Sequence, residues 1–521
     1  METERPLLEP VRGSTEDNAE GVPEISTAAM NSPICNFFDG RSVLMTGATG
    51  FLGKALMMKL LKSCPGLKKI YVIVRAKKGK EPKERIRTLL EDKAFRGCSE
   101  ELASKVVAMS GDISLPGLDL SPEDTQKLIG ADITVAFHSA ATVRFNEPLK
   151  GAIEKNVGGT QAIIELCKQF KDMKVLVYVS TAYSNCNLPK VEETVYDSAI
   201  PAEGFLQCAR WMSEKQMEAL APQVMGSWPN SYTFSKFLAE NLLKAECGHF
   251  SVAIFRPTIV VNAVKEPVPG WTNSFNGPTG VTLASGVGLV RTICCDEDLV
   301  VDIVPVDWVV NAAITSAWDA SHKEKDISIY NYSSGSVNPI TWKEYVLHCE
   351  EFGHKYPPGN ALWYYSLTMT KKKWLYYLLR LLLHIWPALL VDFTCSLLGK
   401  PKRMLHIYEK VDEFADLSSF FTMNQWKFSD QNVQSMLSRV SAEDSKIFPC
   451  NIQQLNWKNY FNDYMYGIRQ FLLKEDPKTI PASIIRVRRL KVLHRGVQVA
   501  LFIFLIFITY TMVSSIYFIF K

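Results

Sequence analysis

The stretch SVLMTGATGFLGK, Ser42–Lys54, decides the fold of this chain. A short apolar strand runs directly into a loop with the pattern Thr-Gly-x-x-Gly-x-x-Gly. Glycines let a phosphate group approach the backbone without a Cβ in the way, and a helix N-terminus attracts anions. Gly47, Gly50 and Gly53 therefore predict a dinucleotide site between a strand and a helix that begins near Phe51.

Strand-like and helix-like segments alternate after this loop. The strand-like segments are continuous apolar runs, which indicates burial on both faces of a parallel sheet. The order of segments predicts a doubly wound α/β fold, and two further strand–helix units, 299–314 and 327–346, extend the sheet or a substrate lobe. The predicted strands cover 42–47, 69–75, 106–113, 133–141, 175–183 and 251–261, and the predicted helices cover 52–63, 82–93, 148–170 and 232–247.

Composition excludes several classes of function. A net charge of +4 over 521 residues gives no reason to expect a nucleic acid as partner. The twelve cysteines form no C-x-x-C pair and the eight histidines are dispersed, so we predict no metal site. Scattered thiols suit a reducing, cytosol-facing compartment. Residues 1–35 are mostly polar and acidic and are predicted to be a disordered leader.

The C-terminus carries a predicted membrane span. Val497–Phe520 has 24 residues without a charge, and at about 1.5 Å per residue it reaches about 36 Å, against about 30 Å for a bilayer core. Basic residues crowd segment 486–495 before it, whereas only Lys521 follows. This asymmetry predicts that the body of the protein lies in the cytosol.

A second long apolar segment, 374–398, carries groups that are costly in hydrocarbon. These are Arg380, His384 and Asp392, together with Pro387. We therefore predict a helical pair that lies on the membrane or walls a lipid tunnel, in preference to a second span.

The end of the second predicted strand indicates which dinucleotide binds. An NAD site would place an acidic residue there for the ribose hydroxyl. This chain has Arg75, with Lys77 and Lys78 close by, and cationic donors favour a 2′-phosphate. The prediction is NADPH, with Asp112 after the third strand as an acceptor for the adenine amino group.

A predicted helix carries Tyr232 and Lys236 four residues apart, hence on one face. A neighbouring ammonium is expected to lower the pKa of the phenol, so that Tyr232 can protonate a substrate oxygen as hydride arrives. Thr181 is the first choice for a second donor to that oxygen and Ser180 the alternative. Asn156 either supports a proton relay or packs as an amide between helices.

Together these motifs resemble the extended short-chain dehydrogenase/reductase superfamily. The segments FFDGRSVLMTGATGFLGK, HSAATVRFNEPL, YTFSK, GWTNSFNGPTG and DIVPVDWVVN narrow the resemblance to the alcohol-forming fatty acyl-CoA reductases. The tail from 361 to 472, with LLGKPKRMLHIYEK, resembles the C-terminal domain of that family. The resemblance covers roughly residues 36–475.

The resemblance implies a membrane-bound enzyme that converts a long-chain acyl-CoA to a primary alcohol with two NADPH, through a thiohemiacetal and a bound aldehyde. It implies a reductase domain at 36–355, a helical C-terminal domain at 361–475 and a membrane helix at 497–520. Tyr232 and Lys236 would be catalytic, with Thr181 or Ser180 as hydroxyl partner. The expected cofactor contacts are Thr46, Gly47, Thr49, Gly50, Phe51, Leu52, Gly53, Arg75, Asp112, Ala140 and Lys236.

Two other classes fit parts of the sequence. One is a membrane-anchored enzyme of the same fold that acts on a sterol or a sugar nucleotide, and the other is a non-catalytic NADP-binding protein. Neither the acyl chain length nor the oligomeric state follows from the sequence. Basic residues before a C-terminal span permit the endoplasmic reticulum or the peroxisome, of which we prefer the former.

Overall fold

The computed structural model describes residues 31–77, 79–92, 99–246, 248–323 and 325–520. Most of the predicted leader, and Lys78 of the predicted cofactor site, lie outside these residues. The first described helix is Pro33–Phe38, and the Ser32 side chain caps it by accepting the N–H of Cys35 at 2.9 Å. The folded body thus includes the last residues that the sequence analysis placed in the leader.

A seven-stranded parallel sheet forms the centre of the molecule. The strands are β1 (Ser42–Thr46), β2 (Lys69–Val74), β3 (Val106–Ser110), β4 (Ile133–His138), β5 (Val175–Val179), β6 (Lys190–Val191), β7 (Ser251–Pro257), β8 (Ile259–Val261), β9 (Thr292–Cys294), β10 (Ile303–Pro305), β11 (Ile327–Tyr332), β12 (Thr368–Thr370) and β13 (Lys427–Phe428). The order in the sheet is β11–β7–β5–β4–β1–β2–β3, so the chain reverses direction across the sheet after β3. The remaining strands form three two-stranded parallel pairs.

Helices cover both faces of this sheet. Val43 and Met45 of β1 pack in the cluster that contains Val306–Ser321, whereas Leu44 belongs to the cluster that contains Ser231–Ala245. This double burial explains the continuous apolar strands and confirms the predicted doubly wound class. The helices of the reductase part are Phe51–Ser63, Pro82–Leu90, Glu100–Ser104, Pro122–Ile129, Leu149–Ala152, Gly159–Lys168, Ala202–Trp211, Glu214–Met225, Ser231–Ala245, Gly277–Gly286, Val306–Ser321 and Trp342–Lys355.

The chain after residue 355 is mainly helical and packs on the reductase part. The rings of Tyr345 and Phe461, for example, meet edge to face at 5.2 Å between centroids. One continuous apolar cluster contains residues from both parts. The helices of this region are Lys373–Arg380, Trp386–Leu397, Met404–Thr422, Gln431–Arg439, Ala442–Ile447, Trp457–Gly467 and Ile480–Ile519.

Two described helices, Lys373–Leu397 and Pro477–Tyr517, are long and apolar enough to cross a membrane. The helix Lys373–Leu397 is a single helix, which corrects the prediction of a helical pair. A π-helical turn at Leu381–Ile385 joins its two halves without a break. The wider turn accommodates Pro387, which would clash with a regular α-helical turn before it. No residue of this helix, all of which the structure describes, lines the main cavity, so it does not wall a tunnel there.

Three polar groups of Lys373–Leu397, those of Arg380, His384 and Asp392, bind to the protein. Arg380 forms an ion pair with Asp412 at 2.7 Å, and His384 accepts the N–H of Arg291 at 3.0 Å. Asp392 accepts backbone N–H groups at the start of the helix Met404–Thr422. The outward face is apolar and carries Trp374, Tyr377, Leu382, Trp386, Leu390 and Phe393, each about half exposed or more.

Candidate active site

A cavity of about 1060 Å³ lies at the carboxyl ends of the central strands. In an open α/β sheet this is where ligands bind, at the point where strand order reverses. The glycine loop, the ends of β4 and β5 and the helix Ser231–Ala245 form one part of its wall. Helices of the C-terminal part close the other side.

The glycine loop makes the tight turn that its sequence predicts. Gly47 has φ +75°, and a Cβ there would lie 2.7 Å from the backbone nitrogen of Ala140. A Cβ on Gly53 would lie 2.1 Å from the carbonyl oxygen of Gly47. The helix Phe51–Ser63 begins immediately after the turn, with Gly50 as its N-cap. Its first N–H groups have no partner within the helix, and the turn lines the cavity, so this arrangement fits a pyrophosphate.

Thr46 supports this turn from behind, which corrects the prediction that it contacts cofactor. Its side chain is almost fully buried, and its oxygen accepts the N–H of Ala140 at 3.2 Å and lies 2.7 Å from Nδ1 of His138. Burial, reinforced by the charge of Lys236, lowers the pKa of His138 to about 3, so the ring is neutral and can accept this hydrogen bond. Ala140 itself lines the cavity, and its contact with the cofactor stays a prediction.

Two arginines stand beside the glycine loop at the end of β2. Arg75 is half exposed and pairs with Asp112 at 3.3 Å. Arg85, which the sequence analysis missed, donates to the hydroxyl of Thr49 at 3.2 Å and to the carbonyl of Arg75. Burial and the charge of Arg75 lower the pKa of the Arg85 guanidinium, although it remains a cation. Two adjacent guanidinium groups fit the 2′-phosphate of an NADP-type cofactor.

Asp112 lines the cavity, but both of its carboxylate oxygens already have partners. One oxygen accepts the N–H and the hydroxyl of Ser114, and the other faces Arg75. Burial raises the pKa of Asp112, yet these hydrogen bonds outweigh burial, so the pKa lies below its ordinary value. Asp112 is therefore an anion, and its charge positions the guanidinium of Arg75. A contact between Asp112 and the adenine amino group stays a prediction.

Tyr232 and Lys236 lie on one face of the helix Ser231–Ala245 and line the cavity. Asn230 caps this helix by accepting the N–H of Thr233 at 2.9 Å, which fixes its first turn. Lys236 donates to the carbonyl of Val179, at the end of β5, at 2.6 Å. The Thr181 hydroxyl interacts with the phenol of Tyr232. The three predicted chemical groups are thus brought together.

The pKa of Tyr232 is raised to about 12, which corrects the expectation that Lys236 lowers it. Burial is the cause, and the contact with Thr181 opposes it only in part. Burial also lowers the pKa of Lys236 to about 7, against the opposing charge of Glu240. The phenol is therefore neutral at neutral pH, which is the form that donates a proton, whereas the amine of Lys236 exchanges its proton near pH 7.

Ser180 is not available as a second donor, because its hydroxyl donates to Glu240 at 2.5 Å. Glu240 also accepts from Ser184 and forms a fully buried ion pair with Arg256 at 2.6 Å. Asn156 is similarly occupied: its side chain bonds the backbone of Thr142 and donates to another helix. The structure supports the packing alternative for Asn156.

A parallel sheet in this strand order, a glycine turn that opens a helix, and a Tyr-x-x-x-Lys helix over the same cavity define an extended short-chain dehydrogenase/reductase. Two family models, both described as male sterility protein, match residues 45–313 and 383–475, the first as the NAD-binding part.

The chain is similar over nearly its whole length to fatty acyl-CoA reductases. It is 36% identical to fatty acyl-CoA reductase wat of Drosophila melanogaster over 92% of this chain and 93% of that protein. It is 35% identical to fatty acyl-CoA reductase 1 of Homo sapiens over 90% and 92% respectively. The chain belongs to the fatty acyl-CoA reductase family. It is an oxidoreductase with a nicotinamide cofactor.

Solved structures of low identity share the fold. The reductase domain of a nonribosomal peptide synthetase from Mycobacterium tuberculosis superposes with a TM-score of 0.56 at 20% identity, covering 86% of this chain and 96% of that one. The terminal reductase domain of the myxalamid biosynthetic pathway superposes with a TM-score of 0.55 at 23% identity, covering 82% of this chain and 90% of that one.

Proposed function

We propose that this protein reduces a long-chain fatty acyl-CoA to a primary alcohol and free CoA, through a bound aldehyde. The observation that carries the proposal is the meeting of Tyr232, Lys236 and Thr181 in one cavity with a dinucleotide turn. Two NADPH molecules, bound one after the other at the glycine turn, would supply one hydride each. Two reductions in one site require that the aldehyde stays within reach of the same proton donor.

The three side chains have separable roles in this proposal. Tyr232 donates its phenolic proton to the carbonyl-derived oxygen, and its raised pKa keeps that proton in place until negative charge develops. Thr181 donates a second hydrogen bond to the same oxygen. Lys236 holds the nicotinamide ribose and orients the phenol. Arg75 and Arg85 select NADPH over NADH.

The long apolar helix at the C-terminus supports a membrane placement. In the proposed arrangement residues 497–520 cross the bilayer once and the basic segment before them keeps the catalytic body in the cytosol. The outward apolar face of Lys373–Leu397 then lies in the surface of the same membrane, since Arg380, His384 and Asp392 within the helix are bound to the protein. We propose the endoplasmic reticulum, with the peroxisome as the alternative.

Purified protein in detergent, incubated with NADPH and a series of acyl-CoAs, tests the reaction by mass spectrometry of the products. Tyr232→Phe is expected to lower the rate about 10²- to 10⁴-fold, because a positioned proton donor contributes that much. Tyr71→Phe, on β2 away from the cavity, is the matched control. Aldehyde as the end product would refute the second reduction, and no turnover by the unaltered protein would favour a non-catalytic NADP-binding protein.

A further inference from the structure

The cavity has a second, apolar arm that extends away from the glycine loop. The arm lies between the helices Gly277–Gly286 and Trp342–Lys355, with Trp457–Gly467 at its side. Nothing in hydride transfer or dinucleotide binding requires this space. An apolar arm continuous with the reacting groups fits the hydrocarbon part of a substrate.

One face of the helix Trp342–Lys355 lines the arm from end to end. Trp342, Val346, Cys349 and Gly353 follow one another at steps of three or four residues, which places them on one side of the helix. At about 1.5 Å per residue this face is about 16 Å long. A wall of this shape favours an extended, narrow ligand.

Two hydroxyl groups in this wall, those of Thr282 and Tyr345, bond to other hydroxyl groups. The hydroxyl of Tyr345 lies 2.9 Å from that of Thr282 and 2.7 Å from that of Tyr464. The hydroxyl of Tyr464 lies 2.9 Å from that of Thr279. Because these two hydroxyls already have partners, a methylene chain that lies against them leaves no hydrogen bond broken.

The arm runs from the reacting groups toward the base of the C-terminal helix. At one end Trp342 shares a second small cavity with Tyr183, two residues from Thr181. At the other end the wall includes Gly353, Met465 and Val487, the last in the helix Ile480–Ile519.

We propose that the acyl chain lies in this arm, with its methyl end at Gly353 and Met465, and that Gly353 sets the longest chain accepted. The inference rests on the proposed function. A Cβ at Gly353 would lie 3.4 Å from Cε of Met465, so any larger side chain must enter the arm or displace Met465. Glycine within a helix costs roughly 0.5–1 kcal/mol relative to alanine, and here it leaves the arm open.

The test compares kcat/KM for stearoyl-CoA and decanoyl-CoA with the purified full-length protein. Gly353→Leu is expected to lower the stearoyl to decanoyl ratio at least tenfold, since each methylene that loses its burial costs about fourfold in kcat/KM. Met465→Ala in the same chain is expected to restore part of the ratio. Leu347→Phe adds bulk on the exposed side of the same helix and is expected to leave the ratio unchanged.

A ratio that is unchanged in Gly353→Leu refutes the placement of the chain, provided the unaltered protein reduces acyl-CoA. Failure of the unaltered protein on every acyl-CoA refutes the proposed function instead. If Gly353→Leu does not fold, Met465→Ala alone tests the placement of the chain. This substitution lengthens the arm, so it is expected to raise kcat/KM for acyl-CoAs longer than stearoyl-CoA relative to kcat/KM for decanoyl-CoA. No such rise overturns the inference.

Discussion

Replacing Lys236 by methionine is expected to abolish activity and yet stabilise the protein at neutral pH. Lys236 is almost fully buried, and burial lowers its pKa from 10.5 to about 7. The folded state therefore favours the neutral amine, whereas the unfolded chain favours the ammonium. A methionine of similar length has no charge to bury.

The shift sets the magnitude and the pH window of the effect. The lowering of the Lys236 pKa from 10.5 to about 7 corresponds to roughly 4–5 kcal/mol, a cost that the folded protein carries in full below about pH 7 and loses as pH rises toward 10.5. The substitution also removes the hydrogen bond to the carbonyl of Val179, which costs about 1–3 kcal/mol. The net gain is about 2–3 kcal/mol near pH 7 and falls to about zero near pH 9.

Thermal unfolding of the detergent-solubilised protein between these two pH values measures the effect, beside NADPH oxidation with an acyl-CoA. Lys244→Met is the matched control on the same helix, because that lysine is half exposed and pairs with Asp197. Its substitution should change stability by less than about 1 kcal/mol, because an exposed ion pair contributes little.

Two results would refute this reasoning. One is a Lys236→Met protein that melts below the unaltered protein at pH 7, which would mean that the buried amine is a net stabiliser. The other is an unchanged difference between the two proteins from pH 7 to pH 9, which would mean that Lys236 does not titrate in this window.

Three further substitutions test the site from other sides. Glu240→Gln leaves the buried guanidinium of Arg256 without a counter-charge, and a loss of about 3–5 kcal/mol is expected in chemical unfolding; a loss under about 1 kcal/mol would contradict the buried ion pair. Arg75→Ser should raise KM for NADPH about 10- to 100-fold and leave KM for NADH nearly unchanged, with the exposed Arg87→Ser as control; equal effects on both cofactors would exclude a 2′-phosphate contact. Gly53→Ala forces a Cβ against the carbonyl of Gly47, so it should lower the free energy of unfolding by about 1–3 kcal/mol and weaken NADPH binding. Gly130→Ala is the control: a Cβ there meets its nearest atom at 3.5 Å, so neither stability nor NADPH binding should fall.

Features that depend on residues close together in the sequence could be predicted from the sequence alone. The continuous apolar strands, the glycine turn before Phe51 and the four-residue spacing of Tyr232 and Lys236 are local patterns with one physical interpretation each. Each of them lies where the sequence predicts, because strand burial and helical spacing act within a few residues.

Features that depend on residues far apart in the chain could not be predicted from the sequence. The choice between Ser180 and Thr181 is made by Glu240, a carboxylate some sixty residues further along, which binds the hydroxyl of Ser180. The pKa of Tyr232 follows from how deeply its cavity is enclosed. Arg85 had a signal in the sequence, since it lies at the start of the predicted helix that follows β2, and the structure shows it donating to the carbonyl of Arg75.

The helix Ile480–Ile519 is longer than a bilayer is thick, and its first turns are attached to the body. Arg486 donates to the carbonyl of Ala361 at 3.1 Å, and Trp363 donates to the ring of His494 at 3.0 Å. Its 40 residues reach about 60 Å, of which only the last 24 or so, about 36 Å, belong to the proposed span. An unbroken helix transmits rotation, so in the proposed arrangement the catalytic body would not swivel freely above the lipid. The tilt of this one helix would then determine the angle at which the cavity faces the bilayer.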